Sequence, residues 1–266
     1  MEQLIMLGTG NATVTKCYNT CFAIKDDEYF LVDTGGGNGI LAQLEKAEIP
    51  TEQIHHIFIS HEHTDHLLGV IWLIRVIATK MKQGKYDGNL NIYCHADLVN
   101  TIHTIAKLTV QKKFFDFIGD RILLTPVDDK EVIQILNYSV QFFDIGSTKA
   151  KQYGFTTTLQ NGKKFTFLGD EPYKDIEFEY AKDADWLLHE AFCLYEERDI
   201  FKPYEKHHST VKDTCKLGEE LNVKNLILYH TEDKNIENRK ALYLNEGKEY
   251  YHGNLFVPED LEVIKL

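Results

Sequence analysis

Cysteine and proline are both scarce, five of each in 266 residues. The cysteines, Cys17, Cys21, Cys94, Cys193 and Cys215, form an odd set without paired CxxC spacing, which argues against a disulfide framework and for reduced core thiols in a cytoplasmic protein. Cys17 and Cys21 could bind metal, but packing is the commoner use of a small, soft side chain. No Pro/Gly-rich linker, repeat or low-complexity tract divides the chain, so residues 1–266 are expected to form one domain. Long hydrophobic runs are missing too. The greasiest stretch, Leu67 to Ala78, is interrupted by Arg75 and is too short to cross a bilayer, so no membrane partner is expected. The opening residues carry Glu2 and turn at once into a strand pattern, without the look of a signal peptide. Basic charge is in deficit: 29 Lys and Arg stand against 41 Asp and Glu, a net charge of −12. That balance argues against broad, nonspecific adhesion to nucleic acid, which needs a basic face. It leaves room for a local basic groove, and for bound dications that offset the charge where an anionic substrate approaches.

What is present is an alternation of strand and helix patterns. Leu4–Leu7, Cys21–Ile24 and Tyr29–Asp33 read as antiparallel strands bounded by Gly, Asn and Asp. Asp33-Thr34-Gly35-Gly36-Gly37 lacks the lysine and spacing of a phosphate-binding P-loop and reads as a sharp structural turn. A helix follows over residues 40–47, then a buried strand at 54–60, a largely buried helix at 67–82, a short strand at 90–94 and one long helix from Ala96 to about Phe117. Strands are expected at 132–136, 138–145, 155–160, 164–169, 184–189 and 223–229, with Asn161-Gly162 marking a hairpin. Helices are expected near 175–182, 210–221 and 235–250. The pattern is α/β, and two stacked sheets with helices outside is its natural assembly.

The chemistry is concentrated in His61-Glu62-His63-Thr64-Asp65-His66, directly after the apolar strand. Imidazole nitrogen and carboxylate oxygen are the borderline donors that zinc and similar ions prefer. Alternate positions of an extended segment face the same way, so His61 and His63 can share one ion while Asp65 and His66, past the bend, reach a second. The plainer reading is a polar loop with Thr64 or Asp65 capping the next helix, but a cap alone does not call for three histidines. Asp170 and His230 each close another apolar strand, where a layered α/β protein gathers its site, and an aspartate can bridge two dications. His95 and His103 read as surface or core-edge residues, and His55, His56 and His252 as surface ones.

With His61-x-His63-x-Asp65-His66, Asp170 and His230 in that order, the chain resembles the metallo-β-lactamase fold superfamily nearly end to end. It is most similar to the ribonuclease Z-like phosphodiesterase branch. The carriers are Leu7-Gly8-Thr9-Gly10 with Asn19 and Phe30–Gly35, then Asp185-Trp186-Leu187-Leu188-His189-Glu190-Ala191, then His208-Ser209-Thr210. The resemblance implies a four-layered αβ/βα sandwich, often a homodimer, holding a dinuclear zinc centre. It implies metal ligands His61, His63, Asp65, His66, Asp170 and His230, and a metal-bound hydroxide that attacks phosphorus. Asp65 would also orient that hydroxide, while Glu190 and His208 would stabilise the transition state or protonate the leaving oxygen. His207 could exchange roles with His208.

Two departures qualify the match. The family usually places a further metal histidine before a Gly-aromatic pair; here Ser147 or Thr148 stands in that place, ahead of Gly154-Phe155. The group His61, His63 and Asp170 is thereby one protein ligand short, to be completed by water, substrate or Asp144, or left weak so that one ion binds rather than two; manganese is an alternative to zinc. Ribonuclease Z enzymes also carry a long arm that grips transfer RNA, and the hairpin between Gly154 and Asp170 leaves no room for it. The inserted length lies between Ala78 and Arg121, a lysine-richer stretch. The expected function is a metal-dependent phosphodiesterase for a compact phosphodiester such as a cyclic nucleotide. Alternatives are a transfer-RNA 3′-end endonuclease and a noncatalytic metal or nucleotide sensor on the same fold.

Overall fold

The computed structural model describes residues 2–266; Met1, the first residue of the segment read above for a signal peptide, lies outside them. The chain gathers into two compact units, each built on a seven-stranded sheet. Among the described residues, the first unit holds 2–8, Asn19–Asp128 and Leu261–Leu266. Strands β1 (Gln3–Gly8), β2 (Cys21–Lys25) and β3 (Tyr29–Val32) pair antiparallel, as the short apolar runs between turn residues predict. Helix α1 (Gly39–Lys46) then crosses to β4 (Ile54–Phe58), which lies parallel to β3. Helix α2 (Thr64–Lys82) leads to β5 (Leu90–His95), and α3 (Ala96–Thr109) with α4 (Lys112–Phe115) to β6 (Ile122–Val127), both again parallel. The apolar spacing of α2 buries Leu67, Val70, Leu73, Ile74 and Ile77.

The one long helix expected over 96–117 is two. Val110 turns extended (φ −93°, ψ 136°), and the Thr109 hydroxyl donates back to the Ile105 carbonyl at 2.6 Å. Adjacent β-branched residues, one offering the backbone an alternative hydrogen bond, end the helix there. Strand β6 escapes the sequence pattern because Pro126 interrupts it, which a strand at the sheet edge tolerates.

The second unit holds Thr9–Tyr18 and Asp129–Asp260. Here β7 (Val132–Ile135), β8 (Tyr138–Asp144), β9 (Tyr153–Thr158) and β10 (Lys164–Phe167) form an antiparallel meander, with Gly162 at φ +82° in the β9–β10 turn. After the short helix α5 (Phe178–Ala181), strand β11 (Trp186–Glu190) joins β10 in parallel. Helices α6 (Arg198–Phe201) and α7 (Val211–Glu220) precede β12 (Asn225–Tyr229), and α8 (Arg239–Gly247) precedes β13 (Asn254–Phe256), both parallel additions. Val263–Lys265, β14, returns to β1 in the first sheet. Phe143, Leu168, Leu187, Val211, Leu226, Leu228 and Tyr243 are fully buried in this unit's core. Strands β13 and β14 span three residues each, too few to show a period. No helix among the described residues is long and apolar enough to cross a membrane.

Candidate metal centre

In the first unit the histidine run leaves β4 extended and bends at His63 (φ −62°, ψ 145°), which takes the N-cap position of α2 without a side-chain cap bond. Neither Thr64 nor Asp65 is therefore the cap; both lie in the first helical turn, where the helix dipole favours the Asp65 carboxylate. The imidazoles are aimed by a buried network. Asp33, at φ +54°, lies 2.8 Å through Oδ2 from His66 Nδ1 and accepts through Oδ1 from Ser60 N at 2.8 Å and Ser60 Oγ at 3.0 Å. Ser60 Oγ in turn lies 3.0 Å from His61 Nδ1. A carboxylate on one ring nitrogen fixes the tautomer and turns the other nitrogen towards an ion. His66 Nε2 is 3.3 Å from Asp65 Oδ2, and His61 Nε2 is 2.9 Å from His63 Nδ1.

The glycine turn after Asp33 seats this network against α2. Thr34 N and Oγ1 both donate to the His66 carbonyl at 2.9 Å, and Gly69 N donates to the Gly35 carbonyl at 3.0 Å. A methyl group at position 69 would collide with the Thr34 carbonyl oxygen. Asp33, read in the sequence as part of a turn, thus proves to be a support of the histidines.

In the second unit the chemistry lies at the carboxyl ends of three neighbouring strands. Parallel register puts Phe167 opposite Leu188 and Glu190 opposite Tyr229, so Asp170, Glu190 and His230 leave β10, β11 and β12 at one end. Asp170 Oδ2 is 3.3 Å from His230 Nε2, while Oδ1 accepts from Gln152 Nε2 at 2.9 Å. The Tyr229 hydroxyl donates to the Gly169 carbonyl and ties two of the strand ends together. Glu190 is wholly buried and accepts from Ser209 N at 2.5 Å. Its other oxygen stands 3.6 Å from His208 Nδ1, beyond hydrogen-bond length, and neither of these buried atoms has a hydrogen-bond partner among the described residues. The His208 ring stacks on Phe192 (5.0 Å, 10°) and lies 4.9 Å from the His230 ring. Its neighbour His207 is exposed and left-handed (φ +59°), so His208 is the histidine that faces Glu190.

The position of the missing histidine is also explicit. Ser147 Oγ donates to Glu171 Oε1 at 2.5 Å, and Asp144 Oδ1 accepts from Gly146 N at 2.7 Å. Gln152, which the sequence reading passed over, is the side chain that reaches Asp170. Its only sequence signal is its place directly before Tyr153-Gly154-Phe155.

Among the described residues, Asp65 and His66 of the first unit with Asp170 and His230 of the second make one candidate ligand set, and His61 and His63 with Asp170 make another. Asp144 belongs to neither. Two carboxylates and two imidazoles, all buried, are a donor set that suits a divalent cation of the zinc type, and the residues fit such an ion.

The B. subtilis (strain 168) protein named "Ribonuclease Z" is 28% identical to the chain over 276 residues, covering 86% of this chain and 87% of that protein. Among solved structures, the metallo-beta-lactamase fold protein YhfI from Bacillus subtilis superposes with a TM-score of 0.80 at 18% identity, covering 99% of this chain and 98% of that one. Human tRNase Z, short form (ELAC1), gives 0.75 at 22%, again covering 99% and 98%. The fold is the metallo-β-lactamase fold, an α/β sandwich, and the chain falls in its ribonuclease Z-like branch of metal-dependent hydrolases. More narrowly, residues 2–248 match the family described as Anti-Pycsar protein Apyc1, and the chain belongs to that family.

Proposed function

We propose that the chain hydrolyses compact phosphodiesters, with a cyclic nucleotide as the preferred kind. The reading is carried by one observation, the buried candidate ligands that each unit presents, Asp65 and His66 in the first and Asp170 and His230 in the second. These four would hold one ion, and His61, His63 and Asp170 would hold a second more weakly, lacking a further protein ligand. Zinc is the ion favoured by this donor set, with manganese the alternative. When bound, the metal supplies a Lewis acid that lowers the pKa of water and offsets the charge of the phosphodiester.

The side chains supply the rest. Asp65, at the start of α2, orients the attacking water. His208, 3.6 Å from the buried Glu190 carboxylate, would donate to the departing oxygen, which otherwise leaves poorly. Glu190 is a positioning residue, clamped by the Ser209 amide.

Compactness of the substrate is supported by the tight β9–β10 turn, which leaves no arm between Gly154 and Asp170, and by the net charge of −12. Transfer RNA is the second reading, favoured by the ribonuclease Z relatives. A screen of cyclic nucleotides against precursor transfer RNA over a salt series separates the two. Cleavage of RNA should weaken steeply with rising salt, whereas a small monoanion should respond mildly. Hydrolysis of RNA alone would overturn the first reading. We further read the protein as cytoplasmic, in keeping with its five free cysteines, and as a homodimer, which its mass in solution would check.

A further inference from the structure

The outer face of α2 carries a feature that packing leaves unexplained. Trp72 is 41% exposed on a helix whose other large apolar residues are mostly buried. It lines a cavity of about 270 Å³ together with Leu68, Ile71 and Arg75 from α2, Val110 beyond the end of α3, and the Gly36-Gly37 turn. Helical spacing puts Asp65, Leu68, Trp72 and Arg75 on one stripe, with Trp72 about 10 Å along the axis from Asp65. The glycine wall lies at the Asp65 end, since a Cβ on Gly36 would stand 3.7 Å from Asp65 Cα. An apolar slot with an indole in its wall and a guanidinium at its far end therefore begins one turn from a candidate metal ligand.

We propose that this slot takes the planar base of a nucleotide substrate whose phosphate would lie at the cation that Asp65 helps to hold. Trp72 offers an aromatic face on which any base stacks, and Arg75 offers donors to the carbonyl oxygens or ring nitrogens of the base edge. A flexible alkyl chain would use the walls but not the guanidinium, and a bare phosphate would use neither. The proposal rests on the phosphodiesterase reading and deepens it by giving the nucleoside half of the substrate its place.

Fluorescence tests it, because the chain has two tryptophans and the other, Trp186, is 4% exposed. Nucleoside 5′-monophosphates should quench the emission of the metal-loaded protein, while ribose 5-phosphate should not. The quench should persist in Trp186→Phe and vanish in Trp72→Phe. Trp72→Ala should raise KM for a cyclic nucleotide about tenfold or more. Calorimetric binding of the nucleotide without any quench would place the base elsewhere and overturn the proposal. So would Trp72→Ala halving the mass in solution with no change in nucleotide affinity, since the face would then be a contact between two copies. Hydrolysis of bis(p-nitrophenyl) phosphate by the unaltered protein is read in parallel. If it proceeds while nucleotides leave Trp72 silent, the pocket fails and the phosphodiesterase reading stands; if no phosphodiester is cleaved or bound, both fall.

Discussion

The two units present their candidate ligands in opposite ways. The first offers its ligands from one continuous turn, His61 to His66, and locks them through a single buried carboxylate, Asp33, that touches Ser60 and His66. The second offers Asp170, Glu190 and His230 from three strand ends, each held by a different neighbour: Gln152, Ser209 and, through the preceding residue, the Tyr229–Gly169 contact. A contiguous turn is rigid because its own backbone fixes the spacing of its side chains. Strand ends are rigid only as far as the sheet beneath them is, so their supports are many and individually weaker.

That contrast predicts unequal losses. Asp170 belongs to both donor groups, so Asp170→Ala should have the largest effect of any single change, lowering hydrolysis of an activated aryl phosphodiester by about 10³-fold, the scale on which one transition-state stabiliser acts. Metal analysis of the purified variant should show depletion as well; full metal content with normal turnover would remove Asp170 from the centre. Asp33→Asn comes next. It touches no substrate, yet it weakens the carboxylate acceptor behind His66, and metal affinity by competition with a chelator should fall about 10- to 100-fold. Gln152→Ala, the matching change behind Asp170, should cost less, because Asp170 keeps His230 beside its other oxygen. Equal losses from Asp33→Asn and Gln152→Ala would erase the distinction between the two halves.

The same contrast explains what could be read in the sequence. The His61–His66 turn is legible because its six donors and spacers are adjacent, and no fold is needed to bring them together. Asp170 and His230 were legible only as polar residues closing apolar strands, and the order of the whole set gave them meaning. Asp33 and Gln152 were not legible as supports, since each reaches its partner across tens of residues, 33 for Asp33 to His66 and 18 for Gln152 to Asp170. Most strands and helices follow their periodicity, but the helix over 96–117 does not, because Thr109 and Val110 break it locally without disturbing the apolar spacing. Edge strands β6, β13 and β14 stay hidden for want of length or because of Pro126.

Gln152 also gives a way to sharpen the comparison by gain. It is not the position of the missing histidine, but its side chain reaches Asp170, donating to Oδ1 where an imidazole could instead offer a ligand. Gln152→His should raise the affinity for a second zinc equivalent about tenfold, read by calorimetric titration of metal-free protein, with the first equivalent little changed. Two equal, tight equivalents in the unaltered protein would show that the His61, His63 and Asp170 group needs no added ligand.

The smallest effect falls within the second unit. Glu177 is buried and its carboxyl is pushed up to about 8, chiefly by loss of water, while the Lys174 amide it accepts from pulls the other way. A carboxyl raised in the fold holds its proton while the unfolded chain releases one, so stability falls as pH climbs from about 4.5 towards 8 and levels off above. Glu177→Gln keeps an oxygen for the Lys174 amide and removes the titration. The variant should match the unaltered protein near pH 4.5 and exceed it by about 1 kcal/mol near pH 8, well below full linkage because the site can relax. Thermal unfolding at the two pH values decides it: a gap that is the same at both, or that widens towards acid, would mean that Glu177 is charged in the fold.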